Sequence, residues 1–469
     1  MTTVETVSAQ ADGPLSPADR AARGRALRRQ VTRSAHAALD PPDRDPVDLL
    51  ERQAAGRVPE LLPVRYGRML LSPLSFLRGG ALLMAADLAG APRTGLTVQL
   101  CGDAHLSNFG MYGTPERRLV FDVNDFDETM AGPWEWDVKR LAASLAVAAA
   151  HRGFTAKQSR RVVLGCVERY RLAMREFARM GHLAVWYTSP NAAAIRAVSA
   201  TRSQRRTIDD ATARALRHNS ARAAVKLTRR VGGLPRIVAD PPLIVPIDDL
   251  LPGAEHERLL DNLTGMVDDY LVSLRPERAD LLRQYRVVDA AHKVVGVGSV
   301  GKRAWILLLI GRDARDPLML QAKEAGPSVL AGFLGAAGYD NEGERVVTGQ
   351  RMMQTASDIF LGWHRSTDLD GVRRDYYLRQ LHDWKGSADV EVMDPDSMCG
   401  YGALCGWTLA RAHARTGDRI AIAAYLGSGD AFERAVTRFA EAYADRNGRD
   451  YDALRAAVRS GRVTARTDL

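Results

Sequence analysis

Polar side chains that could carry out chemistry are concentrated between positions 103 and 127. They are Asp103, His105, Asn108, Asp122, Asn124, Asp125 and Asp127. Asp103 and Asn108 lie in a segment without helical or strand periodicity, which predicts a loop. In such a loop an aspartate can position a hydroxyl and accept its proton, and an asparagine further along can bind Mg²⁺. The D-x-x-x-x-N spacing of Asp103 and Asn108 therefore predicts a catalytic role for Asp103 and a metal-binding role for Asn108.

A second metal ligand is expected on the strand predicted within residues 118–128. Asp125 is the first choice, because the apolar Phe126 follows it and an Asp-Phe pair is typical of this position. Asp122 is its competitor, and Asp127 is the third choice. Carboxylate and amide oxygens suit a hard cation such as Mg²⁺, whereas the chain has no C-x-x-C pair that would indicate zinc.

A G-x-G-x-x-G pattern formed by Gly296, Gly298 and Gly301 is weak evidence alone, since the chain has 40 glycines. A dinucleotide-binding fold needs a helix directly after these glycines. Here two apolar runs, 304–310 and 318–325, follow and are joined by a turn, which predicts a β-hairpin. This order is typical of protein kinases, in which a glycine loop between two strands covers the nucleotide phosphates. Ser299 lies within the predicted loop.

Lys323 is the best single indication of a phosphate site. The chain has 65 basic residues, but only seven are lysines, and one of them lies in the apolar run after the glycine hairpin. A buried ammonium group is costly unless negative charge compensates it. ATP phosphates and a glutamate would do so. Glu344, at the start of a helix predicted over 342–361, is the first candidate for that glutamate, and Glu324 and Glu342 are the alternatives.

The segment Cys101-Gly-Asp-Ala-His-Leu-Ser-Asn108 resembles the H-G-D-x-H-x-x-N box of aminoglycoside and choline phosphotransferases, a branch of the protein-kinase-like superfamily. His105 matches the second histidine of that box. Asp137 resembles a later aspartate that braces the catalytic loop in that family. Cys101 replaces the first histidine, which is a structural residue there. The resemblance implies ATP and Mg²⁺ as cofactors, with His105 and Asp137 in supporting roles.

Longer phrases resemble an uncharacterised bacterial family, domain of unknown function 2252. They include Asn124-Asp-Phe-Asp-Glu128, Val297-Gly-Ser-Val-Gly301 and Leu320-Gln-Ala-Lys-Glu-Ala325. The similarity covers nearly all of residues 45–460. It names a relative and implies no substrate.

The order of these motifs is the reverse of that in an ordinary kinase, because the catalytic loop precedes the glycine loop. A circular permutation would explain the order. We therefore expect an α+β, protein-kinase-like, two-lobed and circularly permuted fold, with a small β-rich nucleotide lobe and a large helical lobe. The expected parts are a flexible basic arm (1–45), a helical catalytic lobe (46–285), the β-rich lobe (286–385) and a helical segment (386–469) that completes the catalytic lobe. Its helix 404–415 should resemble the one that normally precedes the catalytic loop.

Composition limits the class of protein and its partners. Hydrophobic residues make up 46% of the 469 positions, and no apolar run approaches membrane-spanning length, so a globular protein without a membrane partner is expected. The net charge of +9 comes with 58 arginines, which indicates a composition bias more than a nucleic-acid surface, although the basic span 191–232 leaves nucleic acid open. No secretory h-region begins the sequence, so a cytoplasmic location is expected.

The sequence as a whole predicts an ATP- and Mg²⁺-dependent phosphotransferase that acts on a hydroxyl of a small-molecule acceptor. Two alternatives remain open at this point. One is transfer of AMP to a protein by the same fold, and the other is a non-catalytic module that binds nucleotide or nucleic acid. No motif identifies the acceptor, and nothing in the sequence indicates an oligomeric state.

Overall fold

The computed structural model of the chain describes residues 15–198, 202–217, 220–250, 263, 265–294, 296–368, 370–381 and 384–467. Among these residues, no helix combines the length and the apolar character that crossing a membrane would require.

Helices account for most of the structure before residue 227 and after residue 395. They are α1 (Pro17–Gln30), α2 (Pro46–Ala54), α3 (Leu62–Met69), α4 (Pro73–Gly79), α5 (Ala81–Leu88), α6 (Trp134–His151), α7 (Ala156–Ala178), α8 (His182–Tyr187), α9 (Ala192–Val198), α10 (Arg202–Arg217), α11 (Ser220–Leu227), α12 (Ile247–Leu250), α13 (Pro276–Leu282), α14 (Ala331–Leu334), α15 (Glu342–Met353), α16 (Pro395–Thr416), α17 (Arg419–Leu426) and α18 (Ala431–Arg459).

Strands form one large sheet and several small ones. They are β1 (Thr97–Leu100), β2 (Phe109–Gly113), β3 (Leu119–Val123), β4 (Met130–Pro133), β5 (Thr228–Val231), β6 (Leu234–Ile237), β7 (Ile244–Pro246), β8 (Arg286–Lys293), β9 (Ala304–Ile310), β10 (Pro317–Ala325), β11 (Gly362–Thr367), β12 (Arg373–Gln380) and β13 (Gly386–Ser387). With the helices, they confirm the predicted α+β class.

The large sheet has the order β11-β12-β10-β9-β8-β7. The predicted hairpin is confirmed, because β9 and β10 pair antiparallel from Ile310 opposite Pro317. The glycine-rich segment therefore connects two neighbouring strands, β8 and β9. Lys323 lies on the interior strand β10, directly opposite Tyr377 of β12. Lys323 and the glycine loop therefore lie at the same end of the β9–β10 hairpin, since Lys323 is opposite Ala304, the first residue of β9.

Two strand pairings extend beyond the predicted boundary at residue 286. β7 adds to the edge of the large sheet, with Ile244 opposite Lys293. This strand ends in Pro246, which is tolerated at a sheet edge because no partner needs its N–H. The end of the basic span 191–232 begins the β5–β6 hairpin, whose turn is Gly232-Gly233 with φ of 57° and 84°.

The helical region is built around α6, which is buried from Trp134 to Ala149. Its small alanine side chains let α7, α16 and α18 approach closely on several sides. Helix α16 packs along α7, and Gly406 makes this contact possible, since a Cβ there would lie 2.2 Å from the Cys166 carbonyl oxygen. Polar residues of α6 therefore have fixed positions beneath the loop that precedes β2.

For residues 1–45 the sequence predicts a flexible or weakly helical basic arm, and the structure describes this segment from residue 15 onwards. Within the described part, α1 packs on α17. Arg28 Nε donates to the Tyr425 carbonyl at 2.8 Å, and Arg33 Nη1 donates to the Leu426 carbonyl at 2.7 Å. These carbonyls end α17 and lack partners within their own helix, so the arginines cap it.

The two ends of the described chain meet in the helical region. Arg466 N–H donates to the Pro63 carbonyl at 2.8 Å. Arg44 Nη2 pairs with Asp450 at 2.8 Å, and the Tyr451 hydroxyl donates to the Leu70 carbonyl at 2.9 Å.

Candidate functional site

The loop that carries Asp103 joins β1 to β2 and is held from below by α6. The Asp137 carboxylate accepts hydrogen bonds from the N–H groups of Cys101 (2.9 Å) and Gly102 (3.1 Å). Ser144 Oγ accepts the Leu106 N–H at 2.9 Å. Asp137 therefore has the contacts of a bracing residue, because it satisfies backbone donors at the turn immediately before Asp103.

Asp103 is held in place by a charged neighbour. Arg140 Nε donates to its Oδ1 at 2.8 Å, and Arg140 Nη2 donates to the Leu77 carbonyl at 2.6 Å. Burial and the nearby carboxylates of Asp125 and Glu128 raise the pKa of Asp103 to about 6, against the opposing charge of Arg140. Its second oxygen, Oδ2, faces the His105 ring.

His105 lies beneath Asp103 and is 4% exposed. Its Nδ1 accepts the Ser107 N–H at 3.2 Å, so the neutral ring carries its proton on Nε2. That nitrogen lies 3.8 Å from Asp103 Oδ2. Burial, together with the charges of Arg78 and Arg140, lowers the pKa of His105 well below its usual range. The histidine is thus a neutral group that supports the loop.

Asn108 and Asp125 present oxygen atoms on the same wall. Asn108 Nδ2 donates to the Asp103 carbonyl at 2.7 Å, so Oδ1 is the side-chain atom of Asn108 that could bind a metal ion. The Asn108 carbonyl accepts the Asn124 N–H at 2.8 Å, so β2 is fixed against the segment that carries Asp125. Two such ligands, with waters and substrate phosphates, form a set that Mg²⁺ accepts. Within the described ranges, no cluster of three or more His, Cys, Asp or Glu side chains could hold a metal ion.

Asp122 does not share this wall. Its fully buried carboxylate accepts Arg411 Nη2 of α16 at 2.6 and 2.8 Å and the Thr355 N–H at 2.8 Å. A carboxylate used in this way joins β3 to α16. Of the two competing aspartates, Asp125 is therefore the one that lines the cleft.

Asp127, our third choice for a metal ligand, is the centre of the charged network. Lys323 Nζ lies 3.1 Å from each of its oxygens, the Tyr377 hydroxyl donates at 2.6 Å, and Ser299 Oγ donates at 3.1 Å. Burial alone would raise the pKa of Asp127, but the charges of Lys323 and Lys302 and the Tyr377 hydroxyl hold it well below its usual range. Asp127 is ionised and links the sheet to the loop after β3.

None of the three candidate glutamates pairs with Lys323, so that prediction is corrected by the structure. Glu324 points to the other face of β10 and accepts the Arg303 N–H at 2.9 Å, because side chains alternate along a strand. Glu342 pairs with Arg345. Glu344 lies in the first turn of α15, which ends at Met353 and not at 361, and its N–H is capped by Asn341.

Helix α15 instead reaches the site through Arg345. This fully buried guanidinium donates to the carbonyls of Thr129 (2.6 Å), Asp127 (2.9 Å) and Gly326 (2.8 Å). It fixes the backbone on either side of Glu128. A buried arginine in an amphipathic helix gives no distinctive sequence signal, so the pattern of α15 did not indicate this role.

The glycine loop is fastened from outside by the segment 57–68. Val58 N–H donates to the Gly301 carbonyl at 2.8 Å, and Arg68 Nη1 donates to the Gly296 carbonyl at 2.6 Å. Gly301 has φ of 89°, and a Cβ there would lie 2.9 Å from Arg57 Cβ. The loop is therefore held by the helical region on one side and by Asp127, through Ser299, on the other.

A solvent-open cleft of about 620 Å³ results between these parts. Of the predicted site residues, Asp103, His105, Asn108, Asp125, Gly296, Gly298 and Ser299 line it. Lys323 lies behind Asp127, Gly301 packs on Arg57, and Asp137 lies beneath the catalytic loop. Lining residues with polar side chains that sequence reasoning missed are Gln53, Arg78, Glu128 and Lys302.

Replacing Gly102 by alanine is expected to lower the free energy of unfolding by about 3 kcal/mol. Gly102 has φ of 83°, and a Cβ there would lie 2.1 Å from the Glu128 carbonyl oxygen. Denaturant unfolding would measure the loss. Gly95→Ala is the matched control, since Gly95 has φ of 76° but open space around it, so only about 1 kcal/mol of backbone strain is expected. Equal losses in both variants would contradict the close crossing of the two loops.

The comparisons with known proteins place the chain in a family. No curated protein and no solved structure matches it. Residues 57–457 match the bacterial family described as uncharacterised proteins conserved in bacteria, domain of unknown function 2252 (DUF2252). This match spans most of the chain and includes the whole cleft except Gln53. The chain therefore belongs to the DUF2252 family.

Proposed function

We propose that this protein is an ATP- and Mg²⁺-dependent phosphotransferase that acts on a hydroxyl of a small-molecule acceptor. The observation that carries the proposal is the convergence of two distant segments on one cleft. Asp103, Asn108 and Asp125 come from one segment and line the cleft below the glycine loop of the other. Lys323, on the second strand after that loop, pairs with Asp127, which lies two residues beyond Asp125. Each group is of the type that phosphoryl transfer requires.

The residues have separate roles in this proposal. Asp103, held by Arg140, positions the acceptor hydroxyl and accepts its proton. Asn108 Oδ1 and the Asp125 carboxylate hold Mg²⁺, which when bound offsets negative charge on the phosphates. Lys323 holds the α- and β-phosphates, and Gly296, Gly298, Ser299 and Gly301 cover them. Asp127 pairs with the ammonium group of Lys323 and holds it in place.

A circularly permuted, protein-kinase-like arrangement is part of the proposal. Two contacts support it. Helix α16, which follows the sheet in the chain, lies beside the catalytic loop, where the Tyr401 hydroxyl donates to the Leu106 carbonyl at 2.7 Å. The contacts of residues 44–70 with 447–466 bring the chain ends together, as a permutation requires.

Nucleotide binding by the purified protein tests this proposal directly. We expect ATP to bind in the presence of Mg²⁺ and its affinity to fall when EDTA removes the metal, as measured by calorimetry. Incubation with ATP and a library of hydroxyl compounds, followed by mass spectrometry, would show a phosphoryl group on the product. Addition of a nucleotidyl group to protein would favour the AMP-transfer alternative instead. Absence of Mg²⁺-dependent nucleotide binding would contradict both reactions.

A further inference from the structure

One wall of the cleft is formed by a segment that carries none of the groups used above. Gln53 lies at the C-terminal end of α2, and Arg78 lies in the last turn of α4. Both residues line the cleft, which Asp103 also lines. This segment precedes the catalytic loop and belongs neither to the large sheet nor to the loop after β3. It adds a guanidinium and an amide to a cleft that is also lined by the carboxylates of Asp103, Asp125, Asp127 and Glu128.

Arg78 is partly buried, and its hydrogen bonding is incomplete. Its Nε is inaccessible to solvent and has no hydrogen-bond partner among the described residues. The charges that act on it most strongly are those of Asp103 and Asp125. A buried donor left without an acceptor costs about 1–3 kcal/mol. Because Arg78 lines the cleft, an oxygen-rich ligand bound there can supply acceptors to its guanidinium.

Gln53 is oriented so that its donor group is available. Arg65, which is fully buried, donates through Nη2 to Gln53 Oε1 at 2.6 Å and to the Gly79 carbonyl at 3.3 Å. Since Oε1 is the atom bound to Arg65, the Nε2 amide is the end that remains for a ligand. Gln53 and Arg78 therefore both offer N–H donors to a ligand in the cleft.

The location of Arg78 relates it to the reacting groups. A Cβ on Gly298, at the tip of the glycine loop, would lie 3.3 Å from the Arg78 carbonyl oxygen. The side chain of Arg78 lies near the two carboxylates to which the proposal assigns the acceptor hydroxyl and the metal. A group bound by Arg78 would thus lie in the same cleft as the glycine-loop tip and Asp103.

We infer that Arg78 and Gln53 form a subsite for a phosphate-type oxyanion. The planar guanidinium group can donate two parallel hydrogen bonds to two oxygens of such an anion. A neutral hydroxyl has only one oxygen and cannot accept both bonds in this way. Two sources share this chemistry. One is the γ-phosphoryl group of the nucleotide, and this identification rests on the proposed function. The other is an anionic group carried by the acceptor.

Affinities of Arg78→Ala and Arg78→Lys distinguish these sources without an activity assay. If the oxyanion is the γ-phosphoryl group, Arg78→Ala should lose about tenfold in affinity for a non-hydrolysable ATP analogue with Mg²⁺, equivalent to about 1.4 kcal/mol, while ADP affinity stays within about twofold. Arg78→Lys should recover part of the loss, because it keeps the charge but not the fork. Arg312→Ala, on the exposed β9–β10 turn, is the control.

The second arm uses inorganic phosphate as the probe. If the oxyanion belongs to the acceptor, both nucleotide affinities stay at the wild-type level. Phosphate should then raise the thermal unfolding temperature of the wild-type protein, but not of Arg78→Ala, at matched ionic strength. An unchanged ratio of ATP-analogue to ADP affinity together with an unchanged phosphate response would overturn the inference. If the wild-type protein binds no nucleotide, the proposed function fails and the phosphate arm alone decides the role of Arg78.

Discussion

Replacing Asp103 by asparagine is expected to slow phosphoryl transfer by about 10³-fold, since general acid–base groups contribute about 10²–10⁴-fold. Asparagine can still accept the hydrogen bond from Arg140 Nε, so the loop keeps its main support. It has no carboxylate to accept the proton of the hydroxyl. Affinity for ATP with Mg²⁺ should change by less than about threefold, because Asp103 touches neither the predicted phosphate lysine nor the glycine loop.

Two measurements make this result specific. Thermal unfolding must show that Asp103→Asn is folded at the assay temperature, because the charge that balances the buried Arg140 is lost. Asp452→Asn, on the exposed face of α18, removes a carboxylate far from the cleft and should keep wild-type turnover. Full activity in Asp103→Asn would remove Asp103 from the mechanism. A loss of ATP binding equal to the loss of turnover would assign it to the nucleotide site.

Replacing Lys323 by methionine is expected to affect both stability and nucleotide binding. The side chains of Lys323 and Asp127 are 4% and 10% exposed, and removal of one partner of a buried pair costs about 3–5 kcal/mol. Asp127 keeps the hydroxyls of Ser299 and Tyr377, so we expect a loss near 3 kcal/mol in the free energy of unfolding. ATP affinity should fall at least about tenfold, because the phosphates lose a charged donor.

A double variant separates these two effects. Lys323→Met with Asp127→Asn removes the uncompensated buried charge, so stability should partly recover while ATP affinity remains low. Lys157→Met, on the exposed N-terminal part of α7, is the matched lysine control. Recovery of both properties would mean that the lysine acts only through the fold. Wild-type ATP affinity in Lys323→Met would show that this lysine contacts no phosphate.

The local pattern of the chain was sufficient for several parts of the cleft. The apolar runs 304–310 and 318–325 form the predicted strands, and this puts the glycine loop between β8 and β9 and Lys323 on β10. The loop around Asp103 and Asn108 was likewise predicted from its lack of periodicity. These features depend on short-range rules, namely strand alternation and turn composition. These strands and this loop can therefore be predicted without knowing which distant segments pack against them.

Other parts depend on which distant segments meet. Three aspartates, Asp122, Asp125 and Asp127, stand close together in similar local sequence, yet one pairs with Arg411, one faces the cleft and one pairs with Lys323. Their roles differ because α16 and β10 approach β3 and the loop after it from different directions. No local rule encodes these partners. The same holds for the arginines of α1, which are ordinary basic residues until α17 supplies carbonyls for them.

Residue types and their short-range spacing thus determined the candidate residues of the cleft, while tertiary structure decided how the charges are distributed around them. Lys323 stood out because lysine is rare in this chain, but its partner is Asp127 and not a glutamate. Arg78 could not be distinguished among 58 arginines until the fold placed it beside Asp103 and Asp125. The physical reason is that the energy of a buried charge depends on its neighbours in space, and α4 and β10 are brought to those neighbours only by the packing of the whole chain.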